Sequence, residues 1–393
     1  MVQFAPFVLL ATAASLVAGA PAPIPDVEAS TPAAGSGSAA AYTDAVLDLQ
    51  RNGRKQLDEA LAKSTTCTKD KLAIRREYGD LTKEERKSYV DAMLCLMSKP
   101  PKLTQFPGVT NRYEDFVAVH VNQTLSIHGT GNFLSWHRYY TWAFEKALQT
   151  ECGYNGTQPY WDWGRWSKDP LSSPIFDGSD TSLSGNGQKI PQHKGQSFGP
   201  AGDGGGCVTS GPFKNMSIHL GPFAAETDPT PARNPQADGM GKNTRCLRRD
   251  MSNYLTTHYG RTEDIAALIT NSKTIGTFQD TMQSTSPTGG MGVHGVGHFT
   301  IAGDPGADFY QSPNDPGFWV HHSMIDRTWS IWQTQQLANR TNVIAGGTSL
   351  LGFGRLQSLD DIIDLGVSNV DGKTYKIREL TSTVDGPFCY TYE

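Results

Sequence analysis

Histidine is the residue type whose placement in this 393-residue chain points most directly to chemistry. His294 and His298 are four residues apart, so on a helix both imidazoles would lie on one face and could bind one metal ion. Imidazole is a common ligand of zinc, copper and iron. The remaining candidates are an earlier group and a later adjacent pair: His120, His128, His137, His321 and His322.

The spacing of the histidines alone is weak evidence for a metal site. With ten histidines in the chain, a pair four residues apart often arises by chance, and a lone histidine among aromatic residues, such as His137, is more often a hydrogen-bonded core residue. One class of enzyme is excluded. Gly295 follows His294, whereas zinc proteases with an HExxH motif carry a glutamate base at that position.

Helices are expected to position most of these histidines. Helical patterning begins near Asp44, and Thr82, followed by Glu84 and Glu85, indicates the start of a helix that Pro100-Pro101 ends. Further helices are expected at about 113–121, 133–148, 247–259, 262–270 and 317–337. The Gly-, Pro- and Ser-rich residues 164–245 indicate long loops, and the tail from Thr374 is β-like. The pattern predicts a mainly α fold with long loops and a few short β-strands.

Composition excludes two classes of partner. The 34 basic and 39 acidic residues give a net charge of −5, which opposes nucleic-acid binding. No apolar run beyond residue 20 reaches the length of a membrane span, so we expect no membrane partner.

The first twenty residues form a short apolar stretch ending in Ala18-Gly19-Ala20, which predicts a secretory signal peptide cleaved between residues 18 and 22. A buried N-terminal helix is the alternative. Residues 21–43 are predicted to be a flexible segment and residues 44–393 a single domain.

The cysteines and glycosylation motifs also favour a secreted, extracellular protein. The even number of cysteines without a CxxC motif favours disulfides over zinc, with the pairing left open: Cys67, Cys95, Cys152, Cys207, Cys246 and Cys389. The acceptor asparagines are Asn122, Asn155, Asn215 and Asn339. Asn122 lies two residues after His120, so a glycan there is expected near the mouth of the site.

The sequence around the histidines resembles the tyrosinase, catechol oxidase and hemocyanin group of type-3 copper proteins over residues 67–393. The matching motifs occur in order along the chain. They are Arg75-Arg76-Glu77, Phe133-Leu134-Ser135-Trp136-His137-Arg138, Pro159-Tyr160-Trp161-Asp162-Trp163, Cys246-Leu247-Arg248-Arg249-Asp250, Asn314-Asp315-Pro316-Gly317-Phe318-Trp319-Val320-His321-His322 and Asp326-Arg327-Thr328-Trp329.

The resemblance implies a four-helix-bundle core around two copper ions. His120, His128 and His137 match the first copper site of the family, and His294, His298 and His322 match the second.

Other positions are assigned around these ligands. His321 is expected to face away from the metal, because neighbouring side chains on a helix point about 100° apart. Phe318 is expected to pack against an imidazole. Asp326 is expected to pair with Arg76 rather than Arg75, or else to be an ordinary surface carboxylate.

The resemblance also concerns the end of the chain. In longer relatives a tyrosine pair corresponding to Tyr390 and Tyr392 closes the catalytic domain, and a shielding domain follows. Here we expect no C-terminal shielding domain.

The implied reaction is oxidation of o-diphenols to o-quinones, with O₂ reduced to water. We expect O₂ and small phenols as partners of a monomer or weak dimer. Hydroxylation of monophenols in tyrosinases has been ascribed to an Asn after the first ligand of the second site, which acts with a Glu. The corresponding residues here are Gly295 and, with an uncertain alignment, Gln283; Phe299 is a further expected pocket residue.

A third departure is Ser126, which stands where fungal relatives often carry a Cys cross-linked to histidine. These departures favour a catechol oxidase. The alternatives are a tyrosinase, an o-aminophenol oxidase and, with less support, a hemocyanin-like O₂-binding protein.

Overall fold

The computed structural model describes residues 38–196, 198–223, 227–283 and 290–393. The expected signal peptide and residues 21–37 of the expected flexible segment lie outside this range. The first helix begins at Ser38, six residues before the onset expected at Asp44. Residues 38–393 form one compact unit.

Eleven α-helices dominate the described part of the chain, in agreement with the expected fold class. They are α1 (Ser38–Lys63), α2 (Lys83–Ser98), α3 (Arg112–Ile127), α4 (Phe133–Cys152), α5 (Tyr254–Tyr259), α6 (Thr262–Asn271), α7 (Ile275–Gln283), α8 (Val293–Ile301), α9 (Gly303–Gly306), α10 (Gly317–Thr334) and α11 (Leu337–Arg340).

Local sequence signals explain where the key helices begin. Thr82 caps α2 by accepting a hydrogen bond from the Glu85 amide, and the Glu85 side chain returns one from the Thr82 amide. The Asn111 side chain caps α3 in the same way by accepting from the Glu114 amide. Pro100 and Pro101 directly follow the end of α2, as expected.

The helix expected at 247–259 begins only at Tyr254. The preceding residues are extended because their side chains bond elsewhere. Arg249 makes a buried bidentate ion pair with Asp315 and donates to the Ser184 carbonyl. This pair ties the extended segment to the loop that precedes α10.

The described residues contain eight short strands, which form four two-stranded sheets, in keeping with the expected minor β content. They are β1 (Ala73–Arg75), β2 (Gly187–Lys189), β3 (Gly205–Val208), β4 (Ser217–Ile218), β5 (Arg245–Cys246), β6 (Ile362–Ile363), β7 (Tyr375–Lys376) and β8 (Tyr390–Tyr392). Strand β1 pairs in parallel with β8, with Arg75 opposite Tyr392, and so joins the segment between α1 and α2 to the last described residues.

The core lies where α2, α3, α4, α8 and α10 pack together, and aromatic side chains fill it. Phe144 on α4 stacks on Trp319 of α10 with ring centroids 3.6 Å apart. Every residue of α10 is buried, which makes it the central helix of the fold.

All six cysteines form disulfides, which confirms that expectation. The pairs are Cys67–Cys389, Cys95–Cys152 and Cys207–Cys246. The four acceptor asparagines are all exposed. Among the described helices, none has the length and apolar composition needed to cross a membrane.

Candidate metal centre

The first histidine cluster joins α3 to α4. His120 lies on α3, His128 directly follows that helix, and His137 lies on the second turn of α4. Their ligand nitrogens all lie within 4.8 Å of one another. All three side chains are buried.

Backbone carbonyls orient these three rings. The Nδ1 atoms of His120, His128 and His137 lie 2.7, 3.0 and 2.8 Å from the carbonyl oxygens of Tyr310, Thr124 and Phe133. A carbonyl only accepts, so each Nδ1 must donate, and a neutral ring then has a lone pair at Nε2. The Nε2 atoms of His120 and His137 are buried and have no hydrogen-bond partner, as expected of atoms that bind a metal.

The second cluster joins α8 to α10. The Nε2 of His298 lies 3.2 Å from the Nε2 of His294 and 3.2 Å from that of His322. Three imidazole nitrogens thus converge on one point, which suits a cation held between them.

Burial keeps these histidines neutral. It lowers the pKa of His128 to about 4 and that of His298 to about 3, and it holds the pKa of His120, His137 and His322 well below the ordinary range. A neutral imidazole is the form that binds a metal. The donor set therefore fits two copper ions.

His321 also lies in the second cluster, because a ligand nitrogen of its ring lies within 4.8 Å of those of the other three histidines. The two adjacent rings nevertheless face different surroundings. His322 stacks on His137 of the first cluster with centroids 4.5 Å apart, whereas His321 lies 4.6 Å from His298 of its own cluster and 5.3 Å from Trp163. Gly297 makes room for His321, since a Cβ there would lie 2.1 Å from its Nδ1.

Phe318 is buried and packs against the imidazole of His322 at 4.1 Å, which confirms the expected contact. It also lies 5.4 Å from His120 and 5.8 Å from His298. One phenyl ring therefore separates both clusters from the helix core and excludes water from that side.

A cavity of about 230 Å³ opens onto the histidines. His128, His294 and His298 form its floor, and three residues expected in the pocket, Gln283, Gly295 and Phe299, line it. Sequence reasoning missed the other lining side chains that surround the opening: Phe198, Met291, Asp308, Phe309 and Ser312. Phe309 packs 4.6 Å from His128. It directly precedes Tyr310, the residue whose carbonyl orients His120, but no signal in the sequence indicates this long-range contact.

Asn122 is exposed on α3. Two residues along a helix is a rotation of about 200°, so Asn122 faces solvent on the side of α3 opposite to His120. It is not among the described residues that line the opening. The position of a glycan at Asn122 relative to the mouth therefore stays a prediction.

The pairing expected between Arg76 and Asp326 is wrong. Arg75 lies 3.4 Å from Asp326, and Arg76 instead pairs with Glu85. Successive residues of an extended segment point to opposite sides, so burial of Arg75 from β1 directs Arg76 outward. Asp326 is buried and is not a surface carboxylate.

Asp326 also pairs with Arg138 and accepts hydrogen bonds from the hydroxyls of Tyr390 and Tyr392. Burial alone would raise the pKa of Asp326, but the two guanidinium groups and the two hydroxyls outweigh burial and lower it. This cluster links α10, four residues beyond His322, to α4 and β8.

Comparisons with known proteins agree with the site. The common central domain of tyrosinase matches residues 110–335, a range that contains both histidine clusters. Tyrosinase P of Aspergillus terreus is 39% identical over 82% of this chain and 92% of its own length. N-acetyl-6-hydroxytryptophan oxidase of Emericella nidulans is 36% identical over 85% of this chain and 96% of its own length.

A solved structure is similar along nearly the whole fold. A polyphenol oxidase variant from Thermothelomyces thermophila is 38% identical, covers 90% of this chain and 97% of its own, and superposes with a TM-score of 0.81. The two histidine clusters, the domain match and these relatives agree, and the chain belongs to the tyrosinase family of dicopper proteins.

Proposed function

We propose that this protein is a secreted catechol oxidase, which converts two o-diphenols to two o-quinones for each O₂ reduced to two waters. The observation that carries the choice of substrate is the cavity wall beside His294. There, Gly295 offers no side chain and Gln283 offers an amide rather than a carboxylate.

We assign His120, His128 and His137 to one copper ion and His294, His298 and His322 to the other. The unpartnered Nε2 atoms of His120 and His137 and the convergence of Nε2 atoms in the second cluster support this assignment. The position of His322 between the clusters favours it over His321. When bound, the copper pair supplies the redox chemistry, taking electrons from the diphenol and passing them to O₂.

Monophenol hydroxylation demands an additional proton acceptor, since a phenol has a pKa near 10. The Gln283 side chain is hydrogen-bonded to the backbone, because its Oε1 accepts from the Gly129 amide at 2.9 Å. Asp308 lines the cavity, but its oxygens accept from the Phe223 and Tyr310 amides. Among the described residues of the cavity, no other carboxylate is present to accept the phenol proton.

The test is copper quantitation combined with oxygen-uptake assays on catechol, tyrosine and 2-aminophenol. We expect two copper ions per chain, fast uptake with catechol and slow or lagging uptake with tyrosine. Rapid tyrosine hydroxylation without a diphenol primer would make the protein a tyrosinase. Reversible O₂ binding without turnover of any phenol would support an O₂-binding protein.

A second candidate is oxidation of o-aminophenols or of bulky phenols. The observation that favours it is the space at Gly295, where a Cβ would meet Met291 at 3.2 Å and Phe299 at 3.8 Å. A higher kcat/KM for 2-aminophenol than for catechol would support this candidate.

Secretion is part of the proposal. The signal-like first twenty residues, the three disulfides and the exposed acceptor asparagines support it. Detection of the protein in culture medium, with a new N-terminus between residues 18 and 22, tests it. The monomeric or weakly dimeric state stays a prediction, which light scattering checks.

A further inference from the structure

We propose that Phe198 and Phe299 form an aromatic shelf that binds the second ring of a two-ring catechol, and that Phe198 is the residue selecting such substrates. This inference rests on the proposed function, because the shelf is useful only when a catechol ring reaches the histidine clusters. The substrate class is a neutral catechol that bears an aryl substituent.

The shelf forms one side of the cavity mouth. Phe299 follows His298 on α8, and the ring centroid of Phe198 lies 4.5 Å from that of Phe299. Phe198 is 48% exposed although its ring contacts that of Phe299. The face of Phe198 is thus available to a further aromatic group.

A continuous path leads from the metal ligands to the shelf. Gly295 lies on α8 one turn before Phe299, and its missing side chain leaves the groove between Met291 and Phe299 open. A phenyl substituent on a catechol held at His294 would extend along this groove. A larger side chain at Gly295 would narrow the path.

The loop that carries Phe198 is anchored at several points. Gln196 donates to the Phe299 carbonyl at 3.3 Å, and His193 contacts Asp250 at 2.8 Å. Asp250 also accepts hydrogen bonds from the Gly202 and Gly204 amides. The shelf is therefore positioned before the substrate arrives, which reduces the entropy lost on binding.

The charges of the cavity favour a neutral substituent. Asp308 is the one carboxylate among the described lining residues, and its oxygens accept hydrogen bonds from the Phe223 and Tyr310 amides. No lysine or arginine lines the described part of the cavity. An amino-acid substituent would place an ammonium and a carboxylate against phenyl rings without partners, which costs free energy.

The experiment compares catechol with 4-phenylcatechol in the copper-loaded protein. For Phe198→Ala, the ratio of kcat/KM for 4-phenylcatechol to that for catechol should fall about 3- to 10-fold, the value of one aromatic contact. The fall in kcat/KM should come from a higher KM for 4-phenylcatechol. Phe198→Tyr should restore the ratio. Phe353→Ala is the matched control, because Phe353 is 69% exposed and does not line the cavity.

A binding measurement separates the shelf from the enzyme activity. The methylated analogues 3,4-dimethoxybiphenyl and 1,2-dimethoxybenzene cannot be oxidised to quinones, so they report binding alone. In Phe198→Ala, the Kd of 3,4-dimethoxybiphenyl divided by that of 1,2-dimethoxybenzene should rise by the same factor. An unchanged Kd ratio would overturn the shelf, even in a protein that oxidises catechol. Absence of catechol oxidation in the wild-type protein would overturn the proposed function alone, since the Kd ratio still decides the shelf.

Discussion

Replacing Gly295 with Asn should raise the rate of tyrosine hydroxylation. The position tolerates the change, because a Cβ would contact Met291 Cγ at 3.2 Å and Sδ at 3.4 Å, both atoms of a flexible side chain. Asn also has a higher helix propensity than Gly, so α8 should not be weakened. The new amide would lie beside His294 at the cavity wall and could hold a water or the phenol hydroxyl.

The expected increase in the hydroxylation rate follows from the chemical groups that the substitutions add. One neutral hydrogen bond contributes about 0.5–1.5 kcal/mol, so Gly295→Asn alone should raise the hydroxylation rate about 2- to 10-fold. Adding Gln283→Glu preserves an oxygen for the Gly129 amide and turns the Gln283 amide nitrogen into a second carboxylate oxygen. General-base assistance contributes about 10²- to 10⁴-fold. Because one oxygen stays bound to Gly129, we expect the lower end, about 100-fold, for the double variant.

The assay is primer-free tyrosine hydroxylation measured by oxygen uptake from pH 6 to 9. Assistance by a base should matter most well below the phenol pKa, so the gain should shrink as pH rises. A change in cavity shape should give a gain or loss that is independent of pH. A pH-independent effect, or a double variant no faster than Gly295→Asn, would refute the role assigned to proton transfer.

Three other predictions concern the metal ligands, the core and the loop beside the cavity. His322→Ala should lose one copper ion per chain while His321→Ala keeps both, as measured by metal analysis; the reverse result would exchange their roles. Asp326→Asn should lower the free energy of unfolding by about 3 kcal/mol in urea, because it leaves two buried guanidinium groups without their shared carboxylate. The control Glu85→Gln changes the part-exposed ion pair with Arg76 and should lower the free energy of unfolding by less than about 1 kcal/mol. Equal losses of stability in the two variants would show that burial is not the cause. For His193, burial alone would lower the pKa, but hydrogen bonds to Asp250 and to a backbone carbonyl outweigh burial and raise it. The stabilisation by His193 should thus be complete below its ordinary pKa of 6.5 and fade as pH rises through the raised value, so the stability difference from His193→Gln should shrink with pH.

Local signals in the sequence accounted for the helices that carry the first cluster and for the start of α2. The helix from Phe133 was expected because aromatic residues recur there at helical spacing, and it extends to Cys152. The expected helix near 113–121 proved longer, spanning Arg112–Ile127. Helix ends are set by capping and packing contacts, which a periodic pattern does not contain.

Tertiary contacts decided what the sequence left open. Arg75 and Arg76 are equivalent in sequence, and only the pairing of β1 with β8, more than 300 residues away, shows which guanidinium is buried. Phe198 lies in a glycine-rich loop without periodicity, so no local pattern indicated that it reaches α8. The sequence could therefore identify the histidines and three residues of the cavity wall, Gln283, Gly295 and Phe299, but not Phe198 or Phe309.

The orientation of the histidines shows how local and long-range effects combine. His128 and His137 donate to the carbonyls of Thr124 and Phe133, each four residues earlier. The Thr124 carbonyl lies in the last turn of α3, where helical carbonyls lack intrahelical partners. Chain geometry alone thus favours the Nε2 lone pair of His128.

His120 is different, because its Nδ1 donates to the carbonyl of Tyr310, 190 residues away. The segment that contains Tyr310 also contains Phe309, which packs on His128, and Asp308, whose oxygens bind the backbone of this segment. One segment thereby orients a histidine of the first cluster and forms part of the cavity wall. A change that shifts this segment should alter metal binding and substrate access together, whereas a change at Phe198 should alter access alone.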